Sequence, residues 1–296
     1  MIEPVLSDDA LLKDIAAARA ETDGGERFCM WWLGQSGYLI QFRGMHLLID
    51  PYISESLTKK YAGTDKPHVR MTRCPIAPER LDFVDVVTSS HNHTDHLDAE
   101  SLKPLLQANP KIKLIAPEAN RAFVAERLGI ERSGPVGMDD GKRIDISIQT
   151  ASKQISMLRV SGIASAHEKL EKDEHGRDKF LGYIFQFGKW SIYHSGDTVK
   201  YTGIYDRLRR FKIDLALLPI NGALPERRVA GNLSGIEAAR LAKDIGAGCV
   251  IPCHYEMFEF NTADPNDEFI PECKSLAQPY RVLRCGERFS STEIAG

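Results

Sequence analysis

Residues 83–90, FVDVVTSS, run directly into His91-Asn92-His93-Thr94-Asp95-His96, and this junction decides the fold. The apolar, β-branched run reads as a buried strand, and the next stretch, DAESLKPLLQAN (98–109), reads as a helix. KLIAP (113–117) is the following strand. A strand, a polar loop, a helix and a strand make an α/β unit, and α/β folds carry their chemistry in loops at the carboxyl ends of strands. Three imidazoles and a carboxylate within six residues, in a chain with 9 histidines, mark the loop as a metal site rather than a chance polar turn. Imidazole with carboxylate suits zinc, manganese or iron, whereas calcium would take oxygens alone.

Upstream, CMWWLG (29–34), YLIQF (38–42) and HLLIDPY (46–52) are short β-rich runs split by glycines, a meander entering a sheet. Downstream the theme recurs. RIDISIQ (143–149), ISMLRVSGIA (155–164), FLGYIFQFG (180–188), WSIYHSGD (190–197), IDLALLPI (213–220) and GCVIPCHY (248–255) read as strands, and YDRLRRF (205–211) and LSGIEAARLAKDIG (233–246) as helices. Two successive sheets with helices outside each predict an α/β four-layer αβ/βα sandwich. Ser7 opens a helix reaching about Glu21 and ending at Asp23-Gly24-Gly25, so residues 1–28 read as a helical appendage on a single catalytic domain, 29–296.

The 38 basic and 41 acidic residues give a net charge of -3 without a dense Lys/Arg block, which disfavours nucleic acid as partner. No basic, apolar leader opens the chain and no run reaches about 18 apolar residues, so neither secretion nor a membrane is expected, and the cytoplasm is the default location. The six cysteines are scattered. Cys249 and Cys253 lack a second pair to complete a thiolate site and read as small buried hydrophobes.

One loop cannot supply every ligand of a catalytic metal pair, so isolated donors are sought at other strand ends. His167, Asp197 and His254 each close a strand-like run. Taken singly, each fits a satisfied histidine or a turn aspartate; together with the six-residue motif they read as ligands. Asp50, in LLIDPY, either braces a ligating histidine or simply caps a turn before Pro51. His194 reads as structural rather than ligating, and His46, His68 and His175 as ordinary residues.

From about Cys29 to Cys285 the chain resembles the metallo-β-lactamase superfamily, whose signature is H-x-H-x-D-H followed by separate His, Asp and His ligands. The resemblance implies that His91, His93 and His167 hold one divalent metal, that Asp95, His96 and His254 hold a second, and that Asp197 bridges them. Manganese or zinc is implied, and iron also fits. Asp95 would double as ligand and proton shuttle while hydroxide generated at the metal pair attacks an ester-like bond. WWLGQSGYLI, LLIDPY, HSGDT, LPINGA and CHYEMF make the chain most similar to the L-ascorbate-6-phosphate lactonase group. ALPERRVAGN, after Asn221-Gly222, departs from the Arg-Asp expected there in that group.

The function expected is hydrolysis of a small phosphorylated sugar-derived lactone. The alternatives are cleavage of a small cyclic or lipid phosphodiester and a non-catalytic metal-binding scaffold; a homo-oligomer is compatible with each. Phosphate recognition calls for cations near the metals, and Lys200, Tyr201, Asn221, Arg227 and Arg228 are the candidates, each with the alternative of a solvated surface group. The charged stretch 168–179, with Gly176 at a hairpin tip, is either an exposed loop or a lid over the first metal.

Overall fold

A strand buried on both faces is apolar at nearly every position, and FCMWWLG is such a strand. The computed structural model, which describes residues 1–20, 25–150 and 155–294, makes it β1 (Phe28–Gly34), paired antiparallel with β2 (Gly37–Phe42), which pairs with β3 (Met45–Ile49). Phe28, Met30 and Trp32 of β1 and Tyr38, Ile40 and Phe42 of β2 face inward, into the core shared with the second sheet. The alternate residues Cys29, Trp31, Leu33 and Leu39 pack outward.

The chain then switches to parallel pairing. β4 (Val86–Thr88), β5 (Lys113–Pro117) and β6 (Val136–Met138) continue the sheet from β3. Parallel neighbours need crossovers. α3 (Ala99–Ala108), capped by the Asp98 carboxylate, and α4 (Arg121–Leu128) supply them on the outer face, with α1 (Asp8–Ala20) beside them and the short α2 (Ser56–Tyr61) between β3 and β4.

The second sheet runs antiparallel through β7 (Arg143–Gln149), β8 (Ile155–Ala164), β9 (Leu181–Phe187) and β10 (Trp190–His194), then parallel to β11 (Leu215–Pro219) and β12 (Cys249–Cys253). α5 (Ile204–Leu208) follows β10, and α6 (Gly235–Asp244), started by a Ser234–Glu237 capping box, lays Ala238, Ala239, Leu241 and Ala242 onto β11 and β12, with α7 (Phe269–Ser275) against it. This is the αβ/βα sandwich expected.

The two sheets are not strictly successive. β13 (Arg288–Ser290) returns to pair with β1, so the first sheet reads β13-β1-β2-β3-β4-β5-β6. Three residues carry too little periodicity to announce such a strand, and the short β6, α2, α4 and α7 escape the sequence reading for the same reason. Leu11, Ile15 and Ala18 of α1 are buried in the outer cluster, and Trp31 Nε1 donates to Asp14 Oδ2 at 2.8 Å. The expected helix end at Glu21 and the breaker at Asp23-Gly24 lie outside the described residues. No helix among the described residues is long and apolar enough to cross a membrane.

Candidate metal centre

The six-residue motif forms the loop between β4 and α3, held at both ends. Ser89 Oγ donates to His91 O at 2.7 Å, and His96 N and Leu97 N both donate to His93 O, at 3.1 and 2.8 Å. The Asp98 carboxylate accepts from Glu100 N and Ser101 N. His167 follows β8, Asp197 follows β10 and His254 follows β12. Gly196 sets Asp197: its φ is 59°, and a Cβ there would stand 2.7 Å from Ser90 Cβ and 2.8 Å from Leu181 O, so only glycine lets this loop close on the end of β4.

These strand ends bring together two groups of donors. His91, His93 and His167 form one; Asp95, His96, Asp197 and His254 form the other, with the ligand atoms of each within 4.8 Å of one another. Asp197 faces both. Its Oδ1 lies 3.2 Å from His96 Nε2 and 3.1 Å from His254 Nε2, and its Oδ2 lies 3.5 Å from His167 Nε2.

The atoms behind the donors fix their orientation. His96 Nδ1 is 2.7 Å from Asp50 Oδ2, so it donates there and turns Nε2 to the centre. Asp50, fully buried, also accepts from Ser90 N (3.0 Å), Ser90 Oγ and Thr88 Oγ1 (3.3 Å). Of its two readings the geometry matches the brace. His167 Nδ1 lies 2.8 Å from Gly231 O, again leaving Nε2 free, and His91 Nδ1 is 3.0 Å from Ser90 Oγ. Gln35, in the β1–β2 turn, donates from Nε2 to Asp95 Oδ2 at 2.8 Å and stands 3.2 Å from the His254 ring nitrogens, while its carbonyl accepts from His254 N. Gln35, Asp50 and His254 all have positive φ (50°, 38° and 66°), strain of about 1–3 kcal/mol each that the packing holds in place at the site.

Burial disfavours charge throughout. It pushes the His91 imidazole well below its ordinary range, with His96 and His93 adding to the effect, and it lowers His93. On His96 burial is outweighed by the Asp197 and Asp95 carboxylates, which hold the imidazole well above its usual value. Burial likewise opposes ionisation of Asp197, but His254 and His96 hold its carboxyl well below the usual range. His91 Nε2, His96 Nε2 and Asp197 Oδ1 are buried without a hydrogen-bond partner among the described residues, although His96 Nε2 and Asp197 Oδ1 lie 3.2 Å apart. Buried polar atoms are normally satisfied, and these three belong to the two donor groups whose ligand atoms lie within 4.8 Å of one another. Five imidazoles and two carboxylates with free atoms converging in this way fit nitrogen-preferring divalent cations.

A cavity of about 400 Å³ opens over the donors. None of Lys200, Tyr201, Asn221, Arg227 and Arg228 lines it. The Tyr201 hydroxyl donates to Ala164 O, and the Lys200 ammonium lies over the Tyr205 ring. Asn221 bonds Asn261 and Asn232, Arg227 binds Asn221 O and Thr262 O, and Arg228 pairs with Asp65 at the surface. Nor do residues 168–179 line it; they form a hairpin with Gly176 at the tip (φ 75°).

His68, expected to be ordinary, belongs to the wall instead, stacked on Tyr61 at 4.1 Å and edge-on to Phe258 and Phe260. Gln35, Arg127, Asn232 and this aromatic wall were not anticipated, since no local motif marks them. Among the described residues the His194 ring bonds backbone groups, Ser36 O and Gly196 N, as a structural residue would. His46 lies behind the first sheet, accepting from Arg19 Nε. Burial pushes the thiols of Cys249 and Cys273 up to about 12, as fits their reading as small buried groups.

Fold and donor set together define a metal-dependent hydrolase of metallo-β-lactamase architecture. The family described as Beta-lactamase superfamily domain matches residues 46–255, more than two thirds of the chain, and the chain belongs to that family. It is 27% identical over 251 residues to a UPF0173 metal-dependent hydrolase of Caldivirga maquilingensis, covering 85% of this chain and 92% of the relative. To a probable L-ascorbate-6-phosphate lactonase, UlaG, of Escherichia coli it is 24% identical over 266 residues, covering 81% of this chain and 73% of the relative. The crystal structure of isothiocyanate hydrolase from Delia radicum gut bacteria superposes with a TM-score of 0.66 at 20% identity, covering 88% of this chain and 98% of that one, a likeness of fold.

Proposed function

We propose that this metal-dependent hydrolase opens a lactone-type ester in a small, phosphorylated, sugar-derived substrate, using two divalent cations, manganese or zinc with iron also suited. His91, His93 and His167 hold one cation, and Asp95, His96 and His254 the other, with Asp197 between. The observation that carries the reading is the split of Asp197, one oxygen toward His96 and His254 and the other toward His167.

Cations held there acidify water to supply a nucleophile at neutral pH and polarise the ester carbonyl. The chain's residues do the rest. Asp50 keeps His96 in one tautomer, and Gly231 O does the same for His167. Asp95 lines the cavity with one oxygen tied to Gln35, which leaves its carboxylate oriented to take the proton of the attacking water and return it to the departing ring oxygen. The wall of Tyr61, His68, Phe258 and Phe260 covers one side of a space sized for a small molecule, which supports a sugar-sized substrate over a polymer. The free thiols of Cys74, Cys249, Cys253, Cys273 and Cys285 support a reducing, cytoplasmic setting.

The test is turnover of a phosphorylated sugar lactone against a small cyclic phosphodiester by protein loaded in turn with manganese, zinc and iron. Preferential lactone opening is expected. Preferential phosphodiester cleavage overturns the substrate assignment, and no turnover of either with metal bound overturns the enzyme assignment in favour of a scaffold.

A further inference from the structure

Apart from the candidate ligands Asp95 and Asp197, the permanently charged residues lining the cavity are Lys60 and Arg127, both cations. Lys60 is exposed on α2. Arg127 is different: half-buried in the last turn of α4, its Nη1 donates to Asn92 O at 2.8 Å and Leu97 O at 3.2 Å, clasping the two ends of the metal loop. Its guanidinium carbon lies 4.4 Å from the centre of the Phe123 ring, one turn back. No carboxylate among the described residues pairs with it; burial lowers its pKa, and Asp98, attracting it from beyond ion-pair distance, offsets this only in part. Nε and Nη2, which form one edge of the guanidinium, have no acceptor among the described residues. That edge is the one that grips a carboxylate or phosphate with two parallel hydrogen bonds.

We propose that Arg127 is the residue that determines specificity for an anionic substrate, receiving through its Nε–Nη2 edge the phosphate or carboxylate the substrate carries away from the reacting bond. A partly dehydrated, pre-positioned cation binds an oxyanion more strongly than a solvated one and loses less side-chain freedom in doing so. The assignment rests on the reading of this cavity as the substrate site. It transfers to Arg127 and Lys60 the role the sequence suggested for Lys200, Arg227 and Arg228.

The experiment measures binding of glycerol 3-phosphate, glycerate and glycerol to the metal-loaded protein by calorimetry, in the wild type, Arg127→Met and Arg127→Lys, with metal content determined for each. Weakening of at least about tenfold for one anion in Arg127→Met is expected, with partial recovery in Arg127→Lys, glycerol unaffected and metal retained. The anion that responds distinguishes phosphate from carboxylate. Unchanged affinity for both anions, no anion binding by the wild type, or loss confined to variants that also shed metal would each overturn the proposal, the last by reducing Arg127 to a brace of the loop. Anion binding that depends on Arg127 without lactone turnover would sink the lactonase reading and keep this one; lactone turnover with Arg127-independent binding would do the reverse.

Discussion

The floor of the cavity and its wall are built on different principles. The floor is seven donors in the loops that follow strands of both sheets, and three of its histidines, His96, His91 and His167, are held from behind by Asp50, Ser90 and Gly231 O. The wall comes from α2, the loop carrying His68, the end of α4 and the loops around residues 229–232 and 254–261. Two of those loops are joined by exposed contacts, Arg228 with Asp65 and Lys66 with Glu226 O. The difference teaches that reaction chemistry is set by the sheets while selectivity is left to segments whose sequence can change without disturbing them.

Substitutions on the floor should therefore be far more damaging than those on the wall. Asp197→Ala removes the carboxylate between the donor groups, and turnover should fall on the order of a thousandfold with loss of bound metal and little change in thermal melting; steady-state kinetics with elemental analysis reads this. Near-normal activity would break the comparison. Asp50→Ala, one layer further back, should cost about 10–100-fold in metal affinity or activity, because the His96 ring loses the acceptor that sets its tautomer. A chelator competition titration measures it, and unchanged affinity would show that the floor needs no such backing.

A third effect separates the site's histidines from a buried one outside it. Burial, with Arg19 adding to it, pushes His46 down to about 3. Between about pH 3 and the unfolded value of about 6.5 the unfolded chain binds more protons at this position, so stability rises with pH across that window and is lost as the solution is acidified. At pH 4.5 the cost is about 2–3 kcal/mol. Denaturant unfolding at pH 7 and 4.5 should show a smaller loss in His46→Gln than in the wild type; equal losses would contradict the assignment. The smallest effect belongs to the rim. The Arg228–Asp65 pair is exposed and screened by solvent, so Arg228→Ala should leave unfolding and turnover close to wild type, and a marked loss of turnover would return Arg228 to the substrate site.

The same division governs what the sequence makes legible. The motif His91–His96 is local, so its meaning survives without any knowledge of the fold. His167, Asp197 and His254 are single residues, legible because each closes a recognisable strand, whereas the sequence around Asp50 fits a brace and a turn cap equally, because its contact with His96 spans 46 residues. Gln35 reaches Asp95 from a hairpin turn, and Arg127 and His68 line the cavity from a helix end and a loop; only tertiary packing aims them there. Lys200, Arg227 and Arg228 follow the ligand-bearing segments in sequence yet point elsewhere, because adjacency along a loop does not fix the direction of a side chain. β13 was hidden for a related reason, since a three-residue strand at the chain's far end is defined by its partner β1 rather than by its own pattern.

The central claim is that the two donor groups act together on a pair of cations through Asp197. Elemental analysis of the protein after loading with manganese or zinc and dialysis tests it most directly: the account predicts two ions per chain, falling in Asp197→Ala, and a wild-type chain that holds one ion or none would contradict it.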